Sequence, residues 1–276
     1  MKRSHLVPFV IVGLGVISAG CGPADRTETA VNNQAAIRDS QARAAAATES
    51  LWDEVAEADI SVLMFGNSHT GTHNVPSMLQ GLLRAAKPDE KVVTHSSLDI
   101  LLPQINENKS NHDMMRDHEW TYVVLQGQQI SMSGTREYPL DPAIELAATA
   151  TENGAEVLLF AEWARKGFDE RERFENVYHE IAAQSESSVV RIGRAFEIAL
   201  EDRPELELYA LDGNHASAAG AYLAAAMLCG TITGEDPAQI ADDPENEDSS
   251  GVSAADRKFL REVAGKTLAE VLSEGN

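Results

Sequence analysis

A regular alternation beginning at Ile60 limits the folds open to this chain. Short apolar runs at Ile60–Phe65, Lys91–Thr94, Thr121–Leu125, Glu156–Phe160 and Ser188–Ile192 are separated by longer stretches of helical pattern. Helices are expected over Val75–Ala86, Pro142–Asn153, Arg171–Gln184 and Ala218–Gly230, with Gly154 stopping the second. Strands separated by helices of ten or more residues cannot be joined as hairpins; they need crossovers, and crossovers produce parallel pairing with helices on both faces. The expected fold class is therefore α/β, a three-layer α/β/α sandwich around a mainly parallel sheet. A last helix is expected after Ser253, an N-cap with Asp256 three residues on. Its Leu260, Val263, Ala264, Leu268 and Val271 recur at helical spacing, so it should pack back onto the domain.

Composition narrows the function. The 276 residues are 43% hydrophobic, enough for a substantial core. Acidic side chains number 44 against 22 basic ones, a formal charge of -22 that repels phosphate backbones and bare anionic membranes and argues against nucleic-acid partners. Two cysteines, Cys21 and Cys229, exclude a disulfide scaffold and a thiolate-only zinc site. Cys229, inside an alanine-rich helical stretch, reads as a small buried apolar residue. Residues 21–50 contain no aromatic side chain and read as a tether, so the folded domain is expected over 51–276. Within it the acidic, Pro- and Ser-containing segment 236–251 reads as an exposed loop.

Two segments carry chemistry. In Phe65-Gly66-Asn67-Ser68-His69-Thr70 an apolar strand runs into a turn before a helix. This places Ser68 at the carboxyl edge of the sheet, where α/β folds bind ligands. Position alone favours an ordinary turn serine. Near the other end, Leu211-Asp212-Gly213-Asn214-His215 sets an acid and an imidazole three residues apart on a loop before a helix. A serine nucleophile needs a base to take its proton, and that base needs an anion to fix its tautomer. Ser68, His215 and Asp212 supply these three roles.

With these blocks the chain resembles the SGNH/GDSL hydrolase superfamily from about Ile60 to Pro237, and Asn74-Val75-Pro76-Ser77-Met78-Leu79 continues the likeness. The resemblance implies a flavodoxin-like fold and serine-dependent ester hydrolysis with neither metal nor organic cofactor. It also implies an oxyanion hole that includes the Ser68 N–H. Where the family has a glycine after the second strand, this chain reads Thr94-His95-Ser96-Ser97-Leu98-Asp99, and the Ser97 N–H is the expected donor. Where the family supplies an asparagine amide, it reads Leu125-Gln126-Gly127-Gln128-Gln129. One register offers Gln129; the other, which resembles the turn of related acetylesterases, offers Gln126. The expected substrate is a carbohydrate O-acetyl or another short acyl ester. Because the middle blocks are altered, a ligand-binding protein that kept the scaffold is the alternative.

The remaining candidates have plainer readings. His69, His73, His95, His112 and His118 lack the spacing of a metal site and read as solvated or substrate-contacting. Trp163 and Arg165 follow a strand and read as a packed indole beside a surface cation, with a substrate wall as the alternative. At the N-terminus, Lys2 and Arg3 precede an apolar run from Leu6 to Ile17 and then Ser18-Ala19-Gly20-Cys21. This pattern is similar to a bacterial lipoprotein signal, residues 1–20, with lipidation at Cys21 and a membrane-tethered, extracytoplasmic location. Simple secretion or an uncleaved anchor are the other outcomes. Cleavage before Cys21 would remove Lys2 and Arg3, leaving 20 basic against 44 acidic residues and a charge of -24.

Overall fold

The computed structural model describes residues 49–98, 101–241 and 251–274. Residues 51–276 make up one compact unit, which carries everything below. The expected signal and Cys21 lie outside the described residues, as does 242–250 of the acidic segment.

Five strands, β1 (Ile60–Gly66), β2 (Val92–Leu98), β3 (Tyr122–Leu125), β4 (Glu156–Ala161) and β5 (Ser187–Arg191), form one sheet in the order β2-β1-β3-β4-β5. Every pairing is parallel. The chain leaves β1 toward one edge and returns to pair β3 on its other side, which makes the carboxyl ends of β1 and β3 the topological switch point. Ser68 and Gln126 are the residues that emerge there.

Strand side chains alternate between two cores, as the period of two requires. On one face Val62, Met64, Val124, Leu158 and Phe160 are buried. They lie under α3 (Val75–Ala86), α8 (Ile192–Asp202), α9 (Ala218–Thr233) and α10 (Ala254–Glu274). On the other, Leu63, Phe65, Val123, Leu125, Val157 and Leu159 are covered by α6 (Asp141–Glu152) and α7 (Arg171–Ala182), with α1 (51–56), α4 (Leu102–Glu107) and α5 (Lys109–Asp117) toward the β2 edge. α9 is apolar on every side because it lies beneath both α3 and α10. Cys229 sits within it, and burial pushes its thiol up to about 12, so it is a packing residue. Ser253 caps α10 as expected, its hydroxyl accepting the Asp256 N–H at 3.1 Å and donating to the Asp256 carboxylate at 2.7 Å. No helix among the described residues is long and apolar enough to cross a membrane.

Two local expectations are corrected. β2 does not end at Thr94; it continues through Leu98, because each residue from Val92 to Leu98 has a partner along the full length of β1. As an edge strand it tolerates the polar stretch His95-Ser96-Ser97, which is only half-buried. The helix α8 begins at Ile192, directly where β5 stops, with no turn residues to announce it.

Candidate active site

Ser68 is the first residue of α2 (Ser68–Gly71), a single turn that follows β1. Asn67 caps it, its side-chain oxygen accepting the His69 N–H at 2.9 Å. At the first helical position the Ser68 N–H has no intrahelical acceptor and is left for a ligand. Gly66 permits the turn: a Cβ there would lie 2.3 Å from Thr70 Oγ1 and 2.5 Å from Gln126 Oε1.

The opposing loop is built as a narrow hairpin between Tyr209 and Ala216. Ala210 N–H donates to the His215 carbonyl at 2.8 Å and Ser217 N–H to the Leu208 carbonyl at 2.9 Å. At its tip Gly213 takes φ +67°, which only glycine adopts freely. This folds Asp212 beneath the residues that follow it. Its Oδ1 accepts the N–H groups of Asn214 (2.9 Å) and His215 (3.0 Å), and its Oδ2 lies 2.5 Å from His215 Nδ1. His215 Nε2 is 2.8 Å from Ser68 Oγ. The carboxylate fixes the proton on Nδ1, so the Nε2 lone pair faces the serine hydroxyl. The hydrogen bond from His215, reinforced by the two backbone donors, lowers the Asp212 carboxyl to about 2. The arrangement is open, with the His215 and Asp212 side chains 30% and 49% exposed. Serine, base and anion, far apart in sequence, therefore meet in the geometry that proton transfer from Ser68 requires.

Of the expected oxyanion donors, Gln126 is placed otherwise. Gln126 is fully buried. Its Oε1 accepts from Asn67 N (2.8 Å) and Thr70 Oγ1 (2.9 Å), and its Nε2 donates to Glu162 Oε1 (2.5 Å). It is a tether that clamps the Ser68 turn to β3, with its amide committed inside the protein. Ser97 lies within β2 rather than on a turn after it, and its hydroxyl donates to Asn111 Oδ1 at 2.8 Å, fixing α5 to the strand. Gln129 is half-buried, and its side chain makes no hydrogen bond among the described residues. The Ser68 N–H lies on the same residue as Ser68 Oγ, at the first position of α2.

Two residues central to this site carried no clear sequence signal. Glu162, just past β4, accepts from Gln126 and from Tyr178 Oη (3.4 Å) through Oε1, while its Oε2 lies 3.4 Å from His69 Nδ1. His69 Nε2 faces Asn214 Nδ2 at 3.1 Å; an amide nitrogen only donates, so the His69 proton resides on Nδ1, toward Glu162. This half-buried carboxylate thus bonds the serine turn through Gln126 and lies at ion-pair distance from His69, which in turn faces Asn214 of the histidine loop. Trp163 is buried as expected: its ring stacks on His69 (5.0 Å) and Phe196 (4.6 Å), and its Nε1 donates to the Asn214 carbonyl at 2.9 Å.

The other histidines stand apart from the triad. His95 and His118 join Trp52 and Trp120 in an aromatic cluster, where burial lowers both imidazoles, and His112 bonds the Asn106 carbonyl. His73 is exposed in a left-handed conformation before α3. Among the described residues no cluster of three or more acids, histidines or cysteines could hold a metal ion.

No family model and no curated protein matches this sequence. Solved structures do. An SGNH hydrolase candidate from Slackia heliotrinireducens aligns with a TM-score of 0.51 and 24% identity, over 63% of this chain and 98% of its own. A DUF4886 family protein from Bacteroides uniformis aligns with a TM-score of 0.57 and 17% identity, over 76% of this chain and 95% of its own. The chain therefore has the three-layer α/β fold of the SGNH hydrolases.

Proposed function

We propose that this protein is a serine ester hydrolase in which Ser68 is the nucleophile, His215 the general base and Asp212 the orienting anion. The observation that carries the reading is the unbroken chain from Asp212 Oδ2 to His215 Nδ1 (2.5 Å) and from His215 Nε2 to Ser68 Oγ (2.8 Å). In the first half-reaction Ser68 Oγ adds to the ester carbonyl as its proton passes to His215 Nε2. The Ser68 N–H, aided by the positive end of α2, faces the resulting oxyanion. Collapse breaks the bond to the alcohol, which leaves with the proton from His215. Water then enters by the same route, and release of the acid restores Ser68.

The substrate proposed is a carbohydrate O-acetyl or other short acyl ester, on the likeness of the Gln126-Gly127-Gln128 turn to that of related acetylesterases and on the expected extracytoplasmic location. An open triad supports it, since a long acyl chain needs an enclosed apolar slot. The location proposed is extracytoplasmic, tethered through a lipid on Cys21. Mass spectrometry of the membrane-bound chain would show Cys21 as a modified N-terminus, and an unmodified secreted chain would refute the tether.

Labelling with a fluorophosphonate, alongside p-nitrophenyl acetate hydrolysis, tests the chemistry. Both should occur in the folded protein and disappear in Ser68→Ala. A well-folded protein that neither reacts nor hydrolyses would instead be a ligand-binding protein on the same scaffold. The commitment of Gln126 to the interior is the observation that favours this second reading.

A further inference from the structure

Five large apolar side chains are exposed among the described residues: Leu98, Met132, Phe168, Leu211 and Leu272. The first four belong to the ends and loops that surround Ser68, and Phe168, 57% exposed, is the aromatic one among them. An aromatic ring left in water at a turn is commonplace; a ring given its own foundation is not. The Arg165 guanidinium lies 4.2 Å from the Phe168 ring centroid. That guanidinium is itself held by Glu170 through two bonds, Nε to Oε2 at 3.0 Å and Nη2 to Oε1 at 2.5 Å, and Glu170 is only 3% exposed. Arg173 adds a further donor to Glu170 at 3.3 Å and bonds the Met132 carbonyl at 3.1 Å, tying in the loop after β3. A buried carboxylate, a fixed planar cation and an exposed ring are stacked in that order, so one face of the ring is backed and the rest is presented outward.

This platform is built onto the triad loop. Lys166 N–H donates to the Gly213 carbonyl at 2.8 Å, Tyr209 Oη to the Ala164 carbonyl at 3.0 Å and Trp163 Nε1 to the Asn214 carbonyl at 2.9 Å. The turn itself is closed by Phe168 N–H on the Arg165 carbonyl at 3.0 Å, with Gly167 at φ +83°. Segment 163–168 and loop 209–215 are therefore stitched together at three points, which joins the turn that carries the ring to the loop that carries His215.

We propose that Phe168 is a stacking platform for a sugar ring of the substrate and that Arg165 and Glu170 are its positioning residues, a proposal that rests on the ester-hydrolase reading and specifies its substrate class. A flat, uncovered ring face flanked by the exposed, hydrogen-bonding side chains of Lys166 and Asp169 matches a ligand that is apolar on its faces and polar around its edge. A pyranose ring has that character; a fatty acyl chain does not.

Two measurements on the full chain in detergent test it. The first is the ratio of kcat/KM for peracetylated cellobiose to that for p-nitrophenyl acetate. Phe168→Ala should lower the ratio about tenfold, the size of one aromatic contact, chiefly through KM on the sugar ester, whereas Phe168→Trp should preserve it. Arg165→Ala should lower it in the same direction. A purely structural role would depress both substrates alike and leave the ratio unchanged, which would overturn the proposal. The second is the affinity of the Ser68→Ala chain for acetylated cellobiose, which needs no turnover. Weaker binding when Phe168→Ala is added supports the platform even if the wild type proves inactive; equal binding, or none, overturns it. Hydrolysis of neither ester by the wild type would count against the hydrolase reading alone.

Discussion

At the scale of single residues, Asp212 and Glu162 separate two uses of a carboxylate. Asp212 faces solvent and is held near pKa 2 by the His215 hydrogen bond and two backbone donors. A carboxyl depressed below its ordinary 3.8 contributes stability that is complete above that pH and is lost as pH falls through about 2. The difference in stability between wild type and Asp212→Asn should accordingly shrink as pH falls from 4 to 2, which denaturant titrations would show. For the same reason any loss of rate above pH 4 belongs to a group other than Asp212. At neutral pH Asp212→Asn should lower kcat by roughly 10⁴-fold, the usual cost when the anion of such a triad becomes an amide. Glu162 is engaged within the protein. It accepts from Gln126 and Tyr178 and faces the proton of His69, and a glutamine there would offer one oxygen and one donor where acceptors are required. Glu162→Gln should let the serine turn and the histidine loop shift relative to each other. A displacement of about 1 Å at reacting atoms can cost about 10²-fold, so kcat should fall by up to that factor with KM little changed. Equal kcat in variant and wild type would show that the bridge is dispensable.

At the scale of elements, the junction of β1 with α2 is the part least tolerant of change. A methyl group on Gly66 would collide with Thr70 Oγ1 and Gln126 Oε1, two atoms already bonded to each other at 2.9 Å. Gly66→Ala should cost about 1–3 kcal/mol, as overpacking does, and lower Tm by about 2–4 °C per kcal/mol in a domain of this size. Activity should fall far more than stability, because the strain is released by moving Ser68. Calorimetry with p-nitrophenyl acetate assays would check this, and a fully active variant would contradict it. These elements also show what the sequence reveals and what it conceals. The strands β1, β3 and β4 and the helices α3 and α6 announce themselves, because two-sided burial demands uninterrupted apolar runs and one-sided burial demands helical spacing. The blocks around Ser68 and His215 stood out because the nucleophile, base and anion roles proposed for them need those residue types. Gln126 was not: a polar residue at a strand end can point to solvent or inward, and the decision rests with Glu162 and Asn67, which are distant in sequence. β2 was read short because an edge strand need not be apolar, and α8 was missed because it begins without a turn, with Gly193 near its start. That glycine is required because a Cβ would lie 2.7 Å from the Glu162 carbonyl, so the feature that hides the helix also packs it against the site.

At the scale of the whole molecule, charge decides how the protein meets its surroundings. The chain carries 44 acidic and 22 basic side chains. Many of the basic ones are already engaged: Arg171, Arg191 and Arg194 share Glu175, Glu197 and Glu270 among α7, β5, α8 and α10. Even if every cation found a partner, a formal excess of -22 would remain. Salt therefore acts in two opposed ways. It weakens exposed ion pairs, which are worth about 0–1 kcal/mol each, and it screens the mutual repulsion of the surplus carboxylates over the longer distances between them. The second effect should dominate, since the Debye length falls from about 10 Å at 0.1 M to about 3 Å at 1 M, shorter than most spacings on a surface but not shorter than a formed ion pair. Tm should rise steadily between about 0.02 M and 1 M sodium chloride, by about 2–4 °C for each kcal/mol of repulsion relieved. Calorimetry in choline chloride distinguishes screening from sodium binding, because only screening is indifferent to the cation. A Tm that falls with salt would mean that the Arg–Glu network on α7, α8 and α10 contributes more to the fold than the surplus charge subtracts.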